Sequence, residues 1–518
     1  MLREIVYGVA AVILLAYSLE FLFSIGDDPR EPPVVRPTIP LIGHVIGIMR
    51  GGPTYYSETS KKTSAEIHTL RVFNYKIYVS TSSRLLPMIQ KQSKALSFRP
   101  FLQITARKHG DASDKTYEIY GTDLTDHLSH AVRTSLAPGP HLDAQNLRMG
   151  IRVLSEVDHL LTGSAPGGVR SIQLLDWTRH LVVQASSCGV YGNQHPLVDP
   201  KVEQAFWKWQ NYLTAHLAGL DISGEGYAQR QIVYDAYIKY CRELPNDGSQ
   251  LAREHKRVIV EAGVDEVDYA KQASLFTIAV FSNTAPTLYW TVYELFSRPE
   301  VLAQVREELE AHAVSRSSAD GGEGEGEDAD FTLDVAALKT RCHVLLSLFQ
   351  ETQRTRHVNA SFRKVTTDTV LDDGRFLLRA GNFLQMPGGP IHANTALWGA
   401  DAAAFDPYRF VPRGEKPAAV PSTGFVAWGS PPHLCPARQF AAAEVLIATA
   451  LLVMRTDLRP RRPGGGWDPS PALNYKDLST LLNPKKDVCV DVTTREQWAG
   501  RWTLKMGAST SRVPVASG

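Results

Sequence analysis

The stretch WGSPPHLCPAR, residues 428 to 438, sets a single cysteine, Cys435, in a proline-rich loop two residues after His433, with Gly429 on one side and Arg438 on the other. Four uses are open to such a residue: a buried structural thiol, a zinc ligand paired with His433, a nucleophile, or the axial ligand of a cofactor metal. A zinc site needs about four ligands, and the neighbouring sequence lacks two more at workable spacing. The rest of the chain has to decide among the others.

The 518-residue chain has a globular composition and a formal net charge of +1 at pH 7. No basic run stands out, which argues against nucleic acid as a partner and for a small or apolar ligand. The five cysteines, at 188, 241, 342, 435 and 489, form no CxxC pair and are too thinly spread for a disulfide framework. Cys435 is therefore read as a thiol or thiolate in a body that faces a reducing compartment.

Residues Ile5 to Ile25, IVYGVAAVILLAYSLEFLFSI, are apolar except for Glu20 near one end and the occasional small or aromatic hydroxyl. At a rise of about 1.5 Å per residue such a helix spans about 30 Å, the thickness of a bilayer core. A cleaved signal peptide would carry a shorter apolar run, about 7–15 residues, with a small-residue exit. Residues 1–26 are thus expected to be a transmembrane anchor. Five prolines follow between Pro29 and Pro40, so residues 27–42 are expected to form an extended, semi-rigid neck that holds the body at a fixed distance from the bilayer. Residues 43–518 remain as one body.

Within that body TLRVFNYKIYVST (69–81) alternates apolar and polar residues and predicts a strand pair. Helical periodicity dominates from about residue 85 to 315. The longest segment, about Val264 to Ser297, is apolar on nearly every face through its middle, which predicts a helix at the centre of a large protein. Pro286 predicts a kink where Ser282 to Thr287 lie. PEVLAQVREELEAHA (299–313) starts with a first-turn proline and is amphipathic. The acidic, glycine-rich stretch 315–330 reads as a disordered surface loop. Further helices are expected over about Val335 to Arg356 and directly after Cys435. Helix predominates, with minor sheet towards the ends of the sequence.

Glu351 and Arg354, at i and i+3, share a helix face, and on an exposed helix such a pair is worth only a few tenths of a kcal/mol. About fifty residues later FDPYRF (405–410) places Arg409 after a proline turn, and Cys435 follows about twenty-five residues on. A carboxylate with two arginine partners can be buried, because forked hydrogen bonds spread its charge.

This order of apolar leader, proline-rich neck, long apolar helix with a central Asn-Thr, ExxR, FxPxRF and a cysteine loop running into a helix resembles the cytochrome P-450 superfamily of haem-thiolate monooxygenases, over essentially the whole chain. SNTAPTLYW (282–290) is similar to the branch that holds sterol hydroxylases and prostacyclin synthase, and the cysteine loop is similar to fungal members that tailor natural products. The resemblance implies a mainly α fold, a large helical domain with a small β region, and a haem whose iron takes Cys435 as axial thiolate. It implies that Glu351, Arg354 and Arg409 form a buried structural triad. Thr284 corresponds to the threonine that supports oxygen activation, and Asn283 stands where an acid is usual.

The loop departs from the family's F-G-x-G-x-R-x-C-x-G: Trp428 replaces Phe, Pro431 the second Gly, His433 the Arg, and Ala437 the last Gly. Trp428 keeps an aromatic plate under the haem, and Trp428, His433 and Arg438 belong to the expected haem-binding set. The tryptophan of the propionate-contacting helix is missing, and His130 and Arg133 in HAVRTS are its expected substitutes. A thiolate pushes electron density through iron and favours O–O cleavage. The resemblance therefore implies a monooxygenase fed with electrons by NADPH-cytochrome P-450 reductase and consuming O2. It would sit in the endoplasmic reticulum membrane as a single-pass protein facing the cytoplasm, and act on a lipophilic terpenoid, sterol or polyketide. Two alternatives stay open: an isomerase or dehydratase working without O2 or reductase, which Asn283 favours because an amide relays no proton, and a non-catalytic haem or sterol-binding protein.

Overall fold

The apolar run at the centre of the sequence folds as two helices in line. A computed structural model describes residues 2–162, 168–243, 245–316, 330–358, 360–414, 420–421, 423–475, 477, 479–507 and 512–515. Its principal helices are α1 (Leu2–Ser24), α2 (Leu124–Ser135), α3 (Pro140–Thr162), α4 (Leu174–Tyr191), α5 (Glu266–Phe281), α6 (Thr284–Phe296), α7 (Pro299–His312), α8 (His343–Arg356), α9 (Gly388–His392) and α10 (Arg438–Arg455). Asp265 caps α5, its carboxylate accepting the Val267 and Asp268 N–H groups at 3.0 Å each. The break falls at Ser282 and Asn283, inside the predicted kink, because Pro286 has no N–H to return to the preceding turn. The Thr284 and Thr287 hydroxyls donate to the Val280 and Asn283 carbonyls at 3.2 and 2.6 Å, which satisfies oxygens the distorted backbone serves poorly.

All of α6 is buried, and it packs against α4, α7, α8 and α10. A helix apolar on every face can be stable only there. One core runs from Ala106 to Val513 across these helices. The helix predicted from Val335 to Arg356 is two, Val335–Arg341 and α8, divided at Cys342. Glu308, reaching over from α7, accepts the Val344 and Leu345 N–H groups at 2.9 and 3.2 Å, so a distant carboxylate caps the start of α8 where local sequence shows no cap.

The strand pair forms as expected. β1 (Ile67–Val72) and β2 (Tyr75–Ser80) are antiparallel, and the mixed five-stranded sheet continues through β5 (Phe383–Pro387), β4 (Ala360–Val365) and β3 (Leu96–Ser97) in that order. Residues 317–329 of the expected surface loop lie outside the described residues.

The apolar leader forms the single helix α1. Several of its side chains lie outside the described residues, and among the described residues no helix is long and apolar enough to cross a membrane. The neck is not a free spacer. Val35 N–H donates to Thr69 O at 2.9 Å and Thr69 N–H to Pro33 O at 2.8 Å, so the segment lies along the outer edge of β1. Lys76 binds Asp27 and Glu31 at 2.6 Å each, Arg71 binds Asp27, and the Tyr78 hydroxyl donates to Glu31 at 2.8 Å. Half-buried charges in such a network hold better than isolated surface pairs.

Glu444 is an unexpected charge in the middle of α10, fully buried, with Ser186 Oγ donating to one oxygen at 2.7 Å. Burial pushes its carboxyl from 4.5 up to about 8. Between those values the native state keeps a proton that the unfolded chain has released, so this group's contribution to stability falls as pH rises through that window. Glu444→Gln, which keeps the Ser186 contact, is expected to melt above the wild type near pH 8, with the gap closing towards about pH 5; melting curves by circular dichroism across that range check it.

Candidate active site

Cys435 lies on the wall of a cavity of about 410 Å³ bounded by α5 and α6, the cysteine loop, the start of α10, β4 and residues 480–481. The loop is shaped by three backbone bonds: Gly429 N–H to Val426 O, His433 N–H to Ser430 O, and Cys435 N–H to Trp428 O, at 2.9, 2.9 and 2.8 Å. Gly429 adopts φ +78°, and a Cβ there would stand 3.0 Å from the His433 carbonyl, so the residue kept from the family pattern is the one the turn requires. Burial pushes the Cys435 thiol up, while the Ala437 and Arg438 N–H groups at the head of α10 and the Arg438 charge push it down. Those donors suit a sulfur anion.

Thr284 and Asn283, at the break between α5 and α6, line the same cavity. The Asn283 side-chain oxygen accepts the Thr480 N–H at 2.9 Å, tying the carboxy-terminal segment to the cavity wall. Trp428 lines the cavity beside the cysteine, 6.4 Å from the Phe349 ring, and its indole N–H has no partner among the described residues.

The triad residues converge behind the cavity. Arg354 forks onto Glu351 with bonds of 2.7 and 2.6 Å, and Arg409 reaches the same carboxylate at 3.3 Å. The Arg354 guanidinium also donates to the carbonyls of His392 and Ala402 at 2.6 Å each and of Ala404 at 3.0 Å. Glu351 and Arg354 are fully enclosed.

His130 and Arg133 are not brought to this cavity. Both are exposed on α2; His130 lines a separate cleft beside residues 250–262, and Val132 of α2 and Leu136 directly after it reach the cavity. The i, i+4 apolar stripe turns inward and carries the neighbouring polar residues out. The buried cation is instead Arg363 of β4, whose guanidinium bonds only Ser361 Oγ and Phe362 O, with no carboxylate partner among the described residues. Burial pushes its pKa down to about 10. The sequence signal was available: Arg363 and Lys364 are adjacent in a strand, so one must face inward. His433 lines the cavity from its loop; desolvation, then the Arg363 charge, lowers it to about 4, so its ring is neutral at pH 7.

An apolar cavity with one cysteine under backbone donors, a buried arginine lacking an acid, and an unpaired indole N–H fits a planar, anionic, metal-bearing cofactor. No group of three or more metal-ligating side chains exists among the described residues.

The comparisons agree with this geometry. The Cytochrome P450 family profile matches residues 245–487. The chain is 30% identical over 504 residues to the cytochrome P450 monooxygenase nodJ of Hypoxylon pulicicidum, with 95% of each chain covered. It is 26% identical to a cytochrome P450 monooxygenase of Gibberella zeae, covering 98% of this chain and 97% of that one. It is also 22% identical to cytochrome P450 7B1 of Mus musculus, covering 88% and 90%. The chain belongs to the cytochrome P450 family. It is a monooxygenase with the family's cofactor, a haem held by a cysteine thiolate, and it uses O2, a substrate and a redox partner.

Removing Arg354 leaves Glu351 as a buried charge with only Arg409 at 3.3 Å and the Asp406 N–H at 2.9 Å, and breaking a buried pair costs about 3–5 kcal/mol. Arg354→Met is expected to lose that much stability in denaturant titrations and to retain little haem on purification, whereas Arg363→Leu is expected to fold but release haem faster when apomyoglobin is added as an acceptor.

Proposed function

We propose that Cys435 would hold the haem iron through its sulfur and that this chain tailors a lipophilic natural product of terpenoid, sterol or polyketide type by inserting one oxygen atom. The observation that carries this is the meeting of Cys435 and Thr284 on one apolar cavity, although 151 positions separate them in the chain. When bound, the haem supplies oxygen activation and the oxidising power that an unactivated C–H or C=C requires. The chain's residues do the rest. The Ala437 and Arg438 N–H groups offset part of the burial that pushes the thiol up and would stabilise the sulfur as an anion once it holds the iron. Arg363, with His433 as a neutral donor, holds the propionates, Arg438 braces the loop through the Cys435 carbonyl at 3.1 Å, and Trp428 packs on the cofactor face.

Thr284 holds the proton at its Oγ1. Asn283 cannot ionise, and its oxygen is already engaged by Thr480, so the route of protons runs through Thr284 and water. The chain shows no nicotinamide or flavin fingerprint, and NADPH-cytochrome P450 reductase is the electron donor in this reading. Residues 1–26 anchor the enzyme in the endoplasmic reticulum membrane as a single span, residues 27–42 link it, and residues 43–518 are the catalytic domain on the cytoplasmic side; the apolar run from Ile5 to Ile25 supports this. The fungal relatives support a place in secondary metabolism.

The test is to supply the enzyme and reductase with a lipophilic metabolite extract under heavy-oxygen gas and compare product masses with those of Cys435→Ala. One heavy oxygen in a product absent from the variant is expected. An unlabelled product formed without reductase would overturn the reading and make Asn283 the mark of a rearranging enzyme.

A further inference from the structure

Most polar groups on the cavity wall are committed. Thr284 and Thr287 bond carbonyls of their own helix, and the Asn283 oxygen holds Thr480. Two residues at the end of α8, one turn apart, are not: Gln353, whose side-chain oxygen has no partner among the described residues, and His357. The other unpaired amide of the wall, Gln145, belongs to α3, which packs on α10 behind the cysteine.

His357 is buried beside His392, with ring centroids 5.3 Å apart. Val426 N–H donates to His392 Nε2 at 2.9 Å, so that nitrogen is an acceptor. Burial holds His357 at about 4 and His392 well below its ordinary value, so both rings are neutral. The single proton of His392 therefore sits on Nδ1. Nδ1 of each ring is enclosed without a partner among the described residues. Gly388 closes that side of His357, where an added Cβ would come within 2.4 Å of Nδ1. With Nδ1 of His357 closed off by Gly388, Nε2 is the ring nitrogen left to meet a group in the cavity. His357 lines the cavity and pairs with Leu481 across a short bridge, close to Thr480 and thus to the Asn283 end of the cavity.

We propose that His357, through Nε2, and Gln353, through its side-chain oxygen, grip a hydroxyl of the substrate, so that the enzyme acts on an already oxygenated lipid and not on a hydrocarbon. This rests on the monooxygenase reading above and names the substrate class of that same cavity. A hydroxyl both donates and accepts, and it satisfies the two spare groups together; a hydrocarbon would leave both buried and unpaired, a penalty that hydrogen-bonding sites use to reject analogues. In a reaction sequence, an oxygenation or a water-quenched cyclisation that leaves an alcohol must come first.

The experiment uses the full-length haem-loaded enzyme in detergent and reads the shift of the haem spectrum on titration with matched hydrocarbon and alcohol pairs on monoterpene, diterpene and sterol skeletons. On the best-fitting skeleton the alcohol is expected to bind about tenfold or more tightly than its hydrocarbon. His357→Phe is expected to erase that preference, in part by tightening the hydrocarbon because no unpaired ring nitrogen faces it, and His357→Gln, which keeps a polar side-chain amide, to retain most of it. Absence of any alcohol preference in the wild type, on every skeleton, overturns the proposal even where a variant fails to fold, as does a preference that survives in His357→Phe. The carbon monoxide difference band of a thiolate-ligated haem, recorded on each sample, separates this from the reading beneath it: its absence in the wild type sinks the haem-thiolate assignment, whereas a normal band without the preference sinks only the hydroxyl grip.

Discussion

The forked pair of Glu351 and Arg354 is the constraint on which the site depends. A carboxylate and a guanidinium with no access to water are costly to bury, and the cost is offset because every guanidinium N–H and both carboxylate oxygens find a partner. Those partners come from four places: α8 itself, the His392 carbonyl, the 402–406 segment and Arg409. Satisfying one ion pair therefore draws three otherwise irregular stretches to the end of one helix. The Phe410 N–H adds a bond to Ser347 Oγ of the same helix at 2.8 Å. The cysteine loop follows this meander directly and inherits its position.

The second organising feature is the interruption between α5 and α6. With Pro286 in the first turn after the gap, polar groups appear in the middle of an apolar run: the Thr284 hydroxyl, and the Asn283 amide that ties down the carboxy-terminal segment. The same proline that weakens the helix places chemistry at its centre.

The parts of the fold legible in the sequence are those written in local periods or fixed spacings. The buried character of α6 follows from its all-round apolar face and the strand pair from its alternation, while the grouping of Glu351, Arg354 and Arg409 follows from the family resemblance that their order carries. What depended on distant partners was not legible. The split at Cys342 comes from Glu308, 34 positions upstream, and no local pattern announces it. His130 and Arg133 were read as facing the cofactor because they are the basic residues nearest a missing tryptophan, but the helix turns Val132 inward, with Leu136 directly after it. Arg363, His357 and Gln353 acquire meaning only when β4, the end of α8 and residues 480–481 share a wall. A buried arginine lacking an acid becomes visible only when the bonds around it can be counted.

The proline-rich segment before the body, docked along β1, has a consequence for edge protection. Without it the outer edge of β1 would offer unpaired N–H and C=O groups of a flat strand, a template for pairing with another molecule. The same segment supplies the carboxylates that neutralise Lys76 and Arg71. A chain trimmed to begin beyond Val35 would lose both its edge cover and the counterions of two poorly exposed cations, whereas one trimmed just before Asp27 would keep them. What looks like a free tether in the sequence is thus packed against the body along β1.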